Sequence, residues 1–297
     1  MIRLVKSADI DCEKWDMTIH LDPQALIYGV SWYLDIVANG WDALVFDDYK
    51  AVLPLTPHLY RRLIPALIRP YGTQQLGVFS KETVSADLVS DFVKAIPSRY
   101  LYKDLFFNAS NPIEKISSGR LLPRTNLLIP LSTANEEKIR SQYSKNTRRN
   151  LSKAQRYNHQ FFYNDSPEVI LKLFQANKGK ELSHLKQRHY AVIRQIMYVA
   201  LHRRAGYLIT LYDDHNTAIA GIFLLEYRGR VVLFFSATSD YGKETHALTL
   251  LIDHILTQKA GLADLFDFEG SDISGLRRFY EGFGAREEIY YNWRKWF

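Results

Sequence analysis

Three apolar segments that follow one another closely constrain the fold of this chain more than any other feature. Residues 207–212, 218–227 and 230–237 have the composition of strands, and only Arg228 and Gly229 separate the last two. Strands joined by so short a turn pair antiparallel. An amphipathic helix, a short strand, another helix and a final strand follow. The second half of the chain therefore predicts a mixed, mostly antiparallel sheet flanked by helices, an α+β (mixed α/β) fold.

The segment before these strands predicts mainly helices. A long basic helix is expected over residues 133–158, with Thr133 as its N-cap, and a strand at 159–164 follows it. Two further helices are predicted at about 167–177 and 187–204. After the three strands, a helix with an apolar face is predicted to begin at about residue 245. A strand at 265–268, a short helix at 274–282 and a strand at 287–297 complete the predictions.

The first half predicts a second mixed domain. Apolar residues recur every three or four positions after Pro23, which indicates a helix, and residues 41–57 indicate two strands joined by a polar turn. A strand, a helix and two strands complete this half, at 66–69, 85–95, 100–107 and 126–131. At 297 residues the chain suits two domains, predicted as 1–134 and 135–297. The last strand, 287–297, could pair with either of them.

The cysteine content and the hydropathy indicate in which compartment the protein is found. Cys12 is the single cysteine, so an internal disulfide and a Cys-x-x-Cys metal site are excluded. The opening residues lack a secretory signal pattern, and no apolar run approaches the roughly 18 residues of a membrane-spanning helix. We expect a cytoplasmic protein without a membrane span. The sequence leaves the oligomeric state open.

Positive charge is concentrated in one region. The net charge is +6, yet residues 138–204 hold fifteen Lys and Arg against three Asp and Glu. A concentrated positive field attracts phosphates or carboxylates, although a solvated helix face explains such a run equally well. Within it, helical spacing places Lys145, Arg149 and Lys153 on one face, with Arg148 beside them.

Three motifs together resemble a known family. They are RPYGTQQLGVFS at 69–80, YSKNTRRNLSKAQ at 143–155 and DFEGSDISGLRRFYEGFGA at 267–285. With the predicted order of elements, they make the chain similar to the FemAB/FemX-like group of tandem GNAT acyltransferases, over most of its length. The resemblance implies two tandem GNAT-like domains, each a mixed, mostly antiparallel sheet flanked by helices.

The same resemblance implies the transfer of an acyl or aminoacyl group to an amine. The donor is then acetyl-CoA or another acyl-CoA, or aminoacyl-tRNA, and the acceptor a small molecule or an envelope precursor, in cell-envelope or polysaccharide metabolism. Two departures from the family pattern leave the substrate undetermined. The chain has no room at 166–204 for the helical arm of some cell-wall members, and Tyr280 stands where the family often has lysine.

Candidate donor-binding residues are cationic or lie at a helix start. We expect Lys145, Arg148 and Arg149 to hold an anionic donor, because guanidinium groups bind phosphate in a bidentate manner. Lys243 and Thr245 flank the turn after strand 230–237, where GNAT enzymes bind the coenzyme A pyrophosphate on backbone N–H groups. Gly242 is the single glycine of that turn, and the need for a tight turn also explains it. Arg277 is a further candidate.

Candidate catalytic residues lie in the last motif. Asp267 and Glu269 are expected to alternate on a strand, which makes Glu269 the candidate general base and Tyr280 a candidate proton donor. Tyr71, Gln75 and Asp272 are the candidate acceptor-binding residues. Each has a structural alternative. Tyr280 could pack in the core, and Asp272 or Ser271 could cap the following helix. Tyr71 and Gln75 could form a structural turn.

The sequence contains no motif of metal-dependent or serine-nucleophile catalysis. The histidines show no metal-ligand spacing, since His184 and His189 are five apart and no His-Glu-x-x-His motif is present. A Gly-x-Ser-x-Gly nucleophile elbow is also missing. The leading hypothesis is therefore an acyltransferase without a metal. The alternatives are a non-catalytic RNA- or anion-binding protein on the same scaffold, and an inactive partner of an envelope enzyme.

Overall fold

The computed structural model describes residues 1–182, 185–270 and 273–296. The chain forms two compact units, of which the first comprises Met1–Thr125 with Ile289–Phe297 and the second Asn126–Glu288. The boundary predicted between residues 134 and 135 lies inside the second unit. Among the described residues, no helix has the length and the apolar character needed to cross a membrane.

The first unit contains two groups of strands with helices packed beside them. One sheet has the order β1-β2-β3-β6 with antiparallel pairs; in the other group β4 pairs antiparallel with β5, β5 parallel with β7, and β7 antiparallel with the final strand. The bounds are β1 Ile2–Val5, α1 Cys12–Leu21, α2 Ser31–Val37, β2 Asp42–Phe46, β3 Ala51–Leu55, β4 Pro57–Tyr60, β5 Ile64–Ile68, β6 Phe79–Ser80, α3 Ala86–Ala95 and β7 Tyr102–Phe107.

The second unit contains one run of strands in the order β8-β13-β12-β11-β10-β9. All neighbours pair antiparallel except β12 and β13, which are parallel. The bounds of the remaining elements are β8 Arg120–Pro130, α4 Glu136–Ser141, α5 Lys145–Ala154, β9 Gln160–Tyr163, α6 Pro167–Ala176, α7 Gln187–His202, β10 Gly206–Tyr212, β11 Ala218–Tyr227, β12 Arg230–Thr238, α8 Asp240–Glu244, α9 Ala247–Lys259, β13 Leu265–Asp267, α10 Ser274–Glu281 and β14 Arg286–Trp296. The first residues of β8 and most of β14 belong to the first unit.

The predicted α+β class is confirmed, as are most strands. The differences occur where tertiary contacts determine the bounds of an element. The helix expected after Pro23 begins only at Ser31, after a 3-10 turn at Ile27–Gly29. The first strand and first helix were not predicted. Helix α10 ends at Glu281, within a residue of its predicted end, and Gly284 follows in a left-handed conformation.

The predicted basic helix over 133–158 is wrong as a single element. It is divided into α4 and α5, whose N-caps are Asn135 and Ser144, and Thr133 caps neither. Asp253 on α9 explains the division, because its buried carboxylate accepts hydrogen bonds from the Tyr143 hydroxyl at 3.0 Å and from the Arg140 guanidinium at 2.7 and 3.0 Å. These contacts hold the end of α4 against α9, and the chain turns before α5 begins.

The apolar core of the second unit lies between its sheet and α9. Leu251, Ile252 and Ile255 of α9 pack against residues of β11 and β12 such as Ile222 and Val231, and all are fully buried. Burial of this kind contributes about 25 cal/mol per Å² of apolar surface. The core therefore fixes α9 on the sheet, and with it the start of α9, where the candidate site lies.

Candidate functional site

Strands β12 and β13 separate after a short parallel contact. They pair only between Arg230–Val232 and Leu265–Asp267, where β13 ends. Strand β12 continues to Thr238, and over this length it pairs with β11 on its other edge. The two strands therefore part at their carboxyl ends, which is where open sheets with parallel strands bind ligands.

A β-bulge lies in the part of β12 beyond this contact. Phe223 pairs with Phe235 while Leu224 pairs with Leu233, so Phe234 is the extra residue on β12. A bulge leaves the extra residue outside the ladder and changes the direction of the neighbouring backbone groups. Phe234 to Ser236 are partly exposed, in contrast to the buried residues Val231 to Leu233. The part of β12 beyond β13 is therefore less buried than the part that pairs with it.

Two adjoining cavities lie beside the start of α9; together they are called the helix groove. The larger, of about 510 Å³, is bordered by α5 and α10, and the smaller, of about 260 Å³, by the α8 to α9 turn. Asn150, Thr249 and Phe279 line both. The rest of the lining includes the polar or charged residues Ser144, Asn146, Thr147, Lys243, His246, Arg278 and Glu281.

Helix α5 contributes positive charge to this region. Lys145, Arg148, Arg149 and Lys153 are all exposed, while Thr147, Leu151 and Ala154 face the interior. Arg149 donates to Asn146 at 2.7 Å. Burial lowers the pKa of His246, and the charges of Lys153 and Arg149 act in the same direction, which places α5 close to the start of α9.

The turn between α8 and α9 is built for close packing. A Cβ atom at Gly242 would lie 2.3 Å from the carbonyl oxygen of Ile219, so glycine is required there by the neighbouring strand β11. Thr245 is buried and donates its hydroxyl to the Tyr241 carbonyl at 3.1 Å. Lys243 is exposed, with Nζ 2.8 Å from Asp240. Of the two residues predicted here, Lys243 lies in the groove lining and Thr245 lies beneath the turn.

Glu269 does not lie on a strand, contrary to the prediction from alternation. Strand β13 ends at Asp267, and Glu269 adopts a left-handed backbone with φ +57°. Its N–H donates to the Asp267 carboxylate at 2.7 Å. Asp267 itself is fully buried and accepts from Arg230 Nε at 2.8 Å. The two acids therefore separate in role, with Asp267 engaged in a buried ion pair and Glu269 partly exposed.

Tyr280 lies in the core beside Glu269. It is 4 % exposed, and its ring stacks on Phe268 with centroids 4.3 Å apart. Burial raises the pKa of Tyr280, and the negative charge of Glu269 raises it further. The phenol thus keeps its proton at neutral pH. This environment matches the packing role considered for Tyr280 from the sequence.

The remaining predicted residues lie elsewhere. Arg277 donates to Glu281 at 2.8 Å and also contacts Glu287. In the first unit, Tyr71 is exposed, and Gln75 is buried, donating to Gln74 and accepting from the Ala109 N–H. Asp272 and Ser271, the predicted acceptor contact and helix caps, lie outside the described residues, as does His184.

Several residues of the groove were not selected from the sequence. Arg278, Asn150, Thr249 and His246 all line it. Arg278 could have been found, because it stands in the basic pair of the last motif. The polar residues carry no sequence signal, since only the packing of α5, α9 and α10 brings them together. Within the described ranges, His, Cys, Asp and Glu form no group of three that could hold a metal ion.

The two mixed units, with separated parallel strands in the second, define a GNAT-like fold of the FemX type, and the predicted resemblance is confirmed at the level of fold. The chain is similar to the crystal structure of FemX, with a TM-score of 0.67, 10% identity, and coverage of 95% of this chain and 96% of that one. It is also similar to the C-terminal domain of a putative lysylphosphatidylglycerol synthetase from Agrobacterium fabrum, with a TM-score of 0.59, 13% identity, and coverage of 96% and 91%.

A third solved structure, L-PGS from Bacillus licheniformis, gives a TM-score of 0.52 at 14% identity, with coverage of 86% of this chain and 84% of that one. No known family profile and no curated protein matches the chain significantly. At identities this low, the likeness establishes the fold and leaves the activity to be argued from the site.

Proposed function

We propose that the protein is an acyltransferase that moves an acyl or aminoacyl group from an activated thioester or ester to an amine. The observation that carries the proposal is the separation of β12 from β13, with a bulge at Phe234, in a unit whose helix groove is lined by Thr238 at the end of β12 and by Lys243. Acyl transfer needs accessible main-chain N–H groups for a developing oxyanion and a place for an anionic donor. One protein that shares the fold is named as a putative lysylphosphatidylglycerol synthetase, a name that describes the attachment of a lysyl group to an acceptor.

The helix groove suits a phosphate-bearing donor. Its smaller part lies at the N-terminus of α9, where backbone N–H groups and the helix dipole favour an anion. Lys243 lines the cavity, and Lys145, Arg148 and Arg149 supply an exposed positive surface on α5. Both acyl-CoA and aminoacyl-tRNA fit this chemistry, since each joins phosphates to an activated carbonyl. In the proposal these residues anchor the donor.

The residues of the chain then have separate roles. A backbone N–H at the bulge of β12 donates to the carbonyl oxygen of the bound donor. Glu269 accepts a proton from the attacking amine, because its carboxylate is partly exposed beside the end of β13. Tyr280 fixes the position of Phe268 and of the turn that carries Glu269. An amine of a small molecule or an envelope precursor is the proposed acceptor.

Binding of labelled donors tests the proposal. The protein is titrated at low salt with acetyl-CoA and, separately, with charged tRNA, and one of them should bind saturably. The variant Arg148→Gln/Arg149→Gln should weaken that binding. Glu269→Gln should preserve binding and lower the transfer of label to an amine by roughly 100-fold or more, the usual contribution of general base catalysis. Glu137→Gln, a change of an exposed acid on α4, is the matched control.

A non-catalytic RNA-binding protein is the second candidate, favoured by one further observation. Tyr157 and His159, just after α5, stack with centroids 5.3 Å apart, and Tyr241 lies against both. Aromatic rings beside cationic side chains are typical of surfaces that bind single-stranded RNA. This candidate predicts RNA affinity that falls steeply with salt and is unchanged in Glu269→Gln. Failure of both donors to bind at low salt would contradict the acyltransferase proposal and leave this one to test with RNA alone.

A further inference from the structure

A second polar cavity lies within the first unit, apart from every residue considered so far. It has a volume of about 240 Å³ and lies among α3, β7, β14 and the segment 116–118. Three lysines line it, Lys94, Lys103 and Lys295, together with Ser90, Ser98, Ser117 and Ser118. No aspartate or glutamate is among its lining residues. Lys94 pairs with Asp91 on its own helix at 3.3 Å, whereas among the described residues Lys103 and Lys295 pair with no carboxylate.

The arrangement of two of these lysines is unusual for a sheet. Lys103 of β7 and Lys295 of β14 are direct partners in the antiparallel pair. Side chains opposite each other across such a pair lie about 5 Å apart at Cβ, and like charges in these positions destabilise the sheet. The next pair along the strands, Asp104 and Arg294, has opposite charges and forms an ion pair at 3.0 Å. The two neighbouring pairs therefore differ, since one joins opposite charges and the other brings two lysines together.

Burial makes the charge of Lys103 costly. Lys103 is 7 % exposed, and its Nζ donates to the Tyr100 carbonyl at 2.5 Å. Among the described residues it forms no ion pair, and a buried ammonium group normally requires one. Burial lowers the pKa of Lys103, and the charge of Lys295 lowers it further.

Hydroxyl groups complete the cavity. Lys295 donates to Ser118 Oγ at 2.9 Å, which leaves the Ser118 hydroxyl hydrogen free to point into the cavity. Trp293, which is almost fully buried, donates to the Ser118 carbonyl at 2.6 Å and fixes this segment. Ser117 is exposed at the edge of the cavity. Ammonium and hydroxyl donors converging from two sides suit a tetrahedral oxyanion, which accepts several hydrogen bonds at once.

We propose that this cavity is a phosphate-binding site, which takes inorganic phosphate or the phosphate group of a small monoester between Lys103 and Lys295. A phosphate there replaces one repulsion by two attractions and accepts hydrogen bonds from Ser118. The volume admits a phosphate and a small organic group, and it is below the range of about 300–1,000 Å³ of pockets for larger ligands. The site is independent of the proposed acyl transfer.

Thermal unfolding and calorimetry with inorganic phosphate test the site. Phosphate should raise the unfolding temperature of the full-length protein relative to chloride at equal ionic strength, because a ligand that binds the folded state stabilises it. Lys295→Gln should weaken binding by roughly 10- to 100-fold, the effect of one charge-assisted hydrogen bond. Lys103→Met should do the same, and because it removes a buried charge we expect it to fold. Lys81→Gln, at an exposed lysine of the same unit, should change nothing.

Phosphate bound elsewhere must be separated from this site. Helix α5 also attracts anions, so each variant is measured again in the Arg148→Gln/Arg149→Gln background, where the effect of Lys295→Gln should persist. Glycerol 3-phosphate should bind as phosphate does, and acetate much more weakly. Absence of phosphate binding, equal binding of acetate, or unchanged affinity in Lys295→Gln would each overturn the proposal.

Discussion

The buried ion pair between Arg230 and Asp267 gives the sharpest test of how the strand ends are held. Arg230 is 4 % exposed and Asp267 is fully buried, and Arg230 Nη2 lies 2.7 Å from Asp267 Oδ2. Asp267→Asn removes the negative charge and keeps an oxygen that can accept the Glu269 N–H. The substitution therefore isolates the electrostatic contribution from the shape of the turn.

The expected cost follows from the partners that remain. Removing one member of a buried pair costs about 3–5 kcal/mol, because the other charge stays buried. Glu288 lies 3.5 Å from Arg230 Nη2, and its side chain is 21% exposed, so it compensates the charge in part. We expect Asp267→Asn to lower the free energy of unfolding by about 3 kcal/mol, the lower end of that range.

Urea unfolding followed by circular dichroism measures this loss. The double variant Arg230→Met/Asp267→Leu should be far more stable than Asp267→Asn, because it removes both charges and leaves an apolar pair. Asp240→Asn, in the exposed pair with Lys243, is the matched control and should leave the unfolding curve unchanged. Equal stability of the single and double variants, or an Asp267→Asn curve that overlies the control, would refute the reasoning.

Three further predictions concern the second unit. Asp253→Asn should lower its free energy of unfolding in urea by about 1–3 kcal/mol, because its buried carboxylate accepts three hydrogen bonds from α4 and the following turn; an unchanged value would contradict this. Gly242→Ala should lower the unfolding temperature, since its Cβ would lie 2.3 Å from the carbonyl oxygen of Ile219, whereas Gly275→Ala, with nothing within 4 Å, should not. Burial lowers the pKa of His254 below its ordinary value of 6.5, so the unfolded state binds the proton first and the free energy of unfolding should fall as the pH drops below 6.5. His254→Gln should flatten that part of the stability profile, and an unaltered slope would show that His254 is not its cause.

Local patterns predicted the strands of the second half because each is a continuous apolar run bounded by a tight turn. Strands β10, β11 and β12 match the predicted ranges within a residue at each end. The division of the basic helix could not be found in this way. Helical spacing continues through Tyr143, and the contact that ends α4 is made by Asp253, which is 110 residues further along the chain.

The site residues show the same division between local and distant causes. The cationic face of α5 was predictable from spacing, and its side chains are exposed. The polar lining of the helix groove was not predictable, since Asn150 and Thr249 come from helices that meet only in the fold. Alternation predicted that Asp267 and Glu269 share one face, yet Asp267 pairs with Arg230 and ends the strand. A buried partner 37 residues away leaves no mark on the pattern.

The left-handed backbone of Glu269 has a consequence for evolution and design. A residue with a side chain at φ +57° carries about 1 kcal/mol of strain that glycine avoids, and Gly270 follows it at φ +62°. Glu269→Gly should therefore raise the unfolding temperature, and in the proposed mechanism it also removes the general base. Selection for thermal stability alone would replace this glutamate. If a laboratory lineage keeps Glu269 under selection for activity and loses it without that selection, the strained turn is retained for activity.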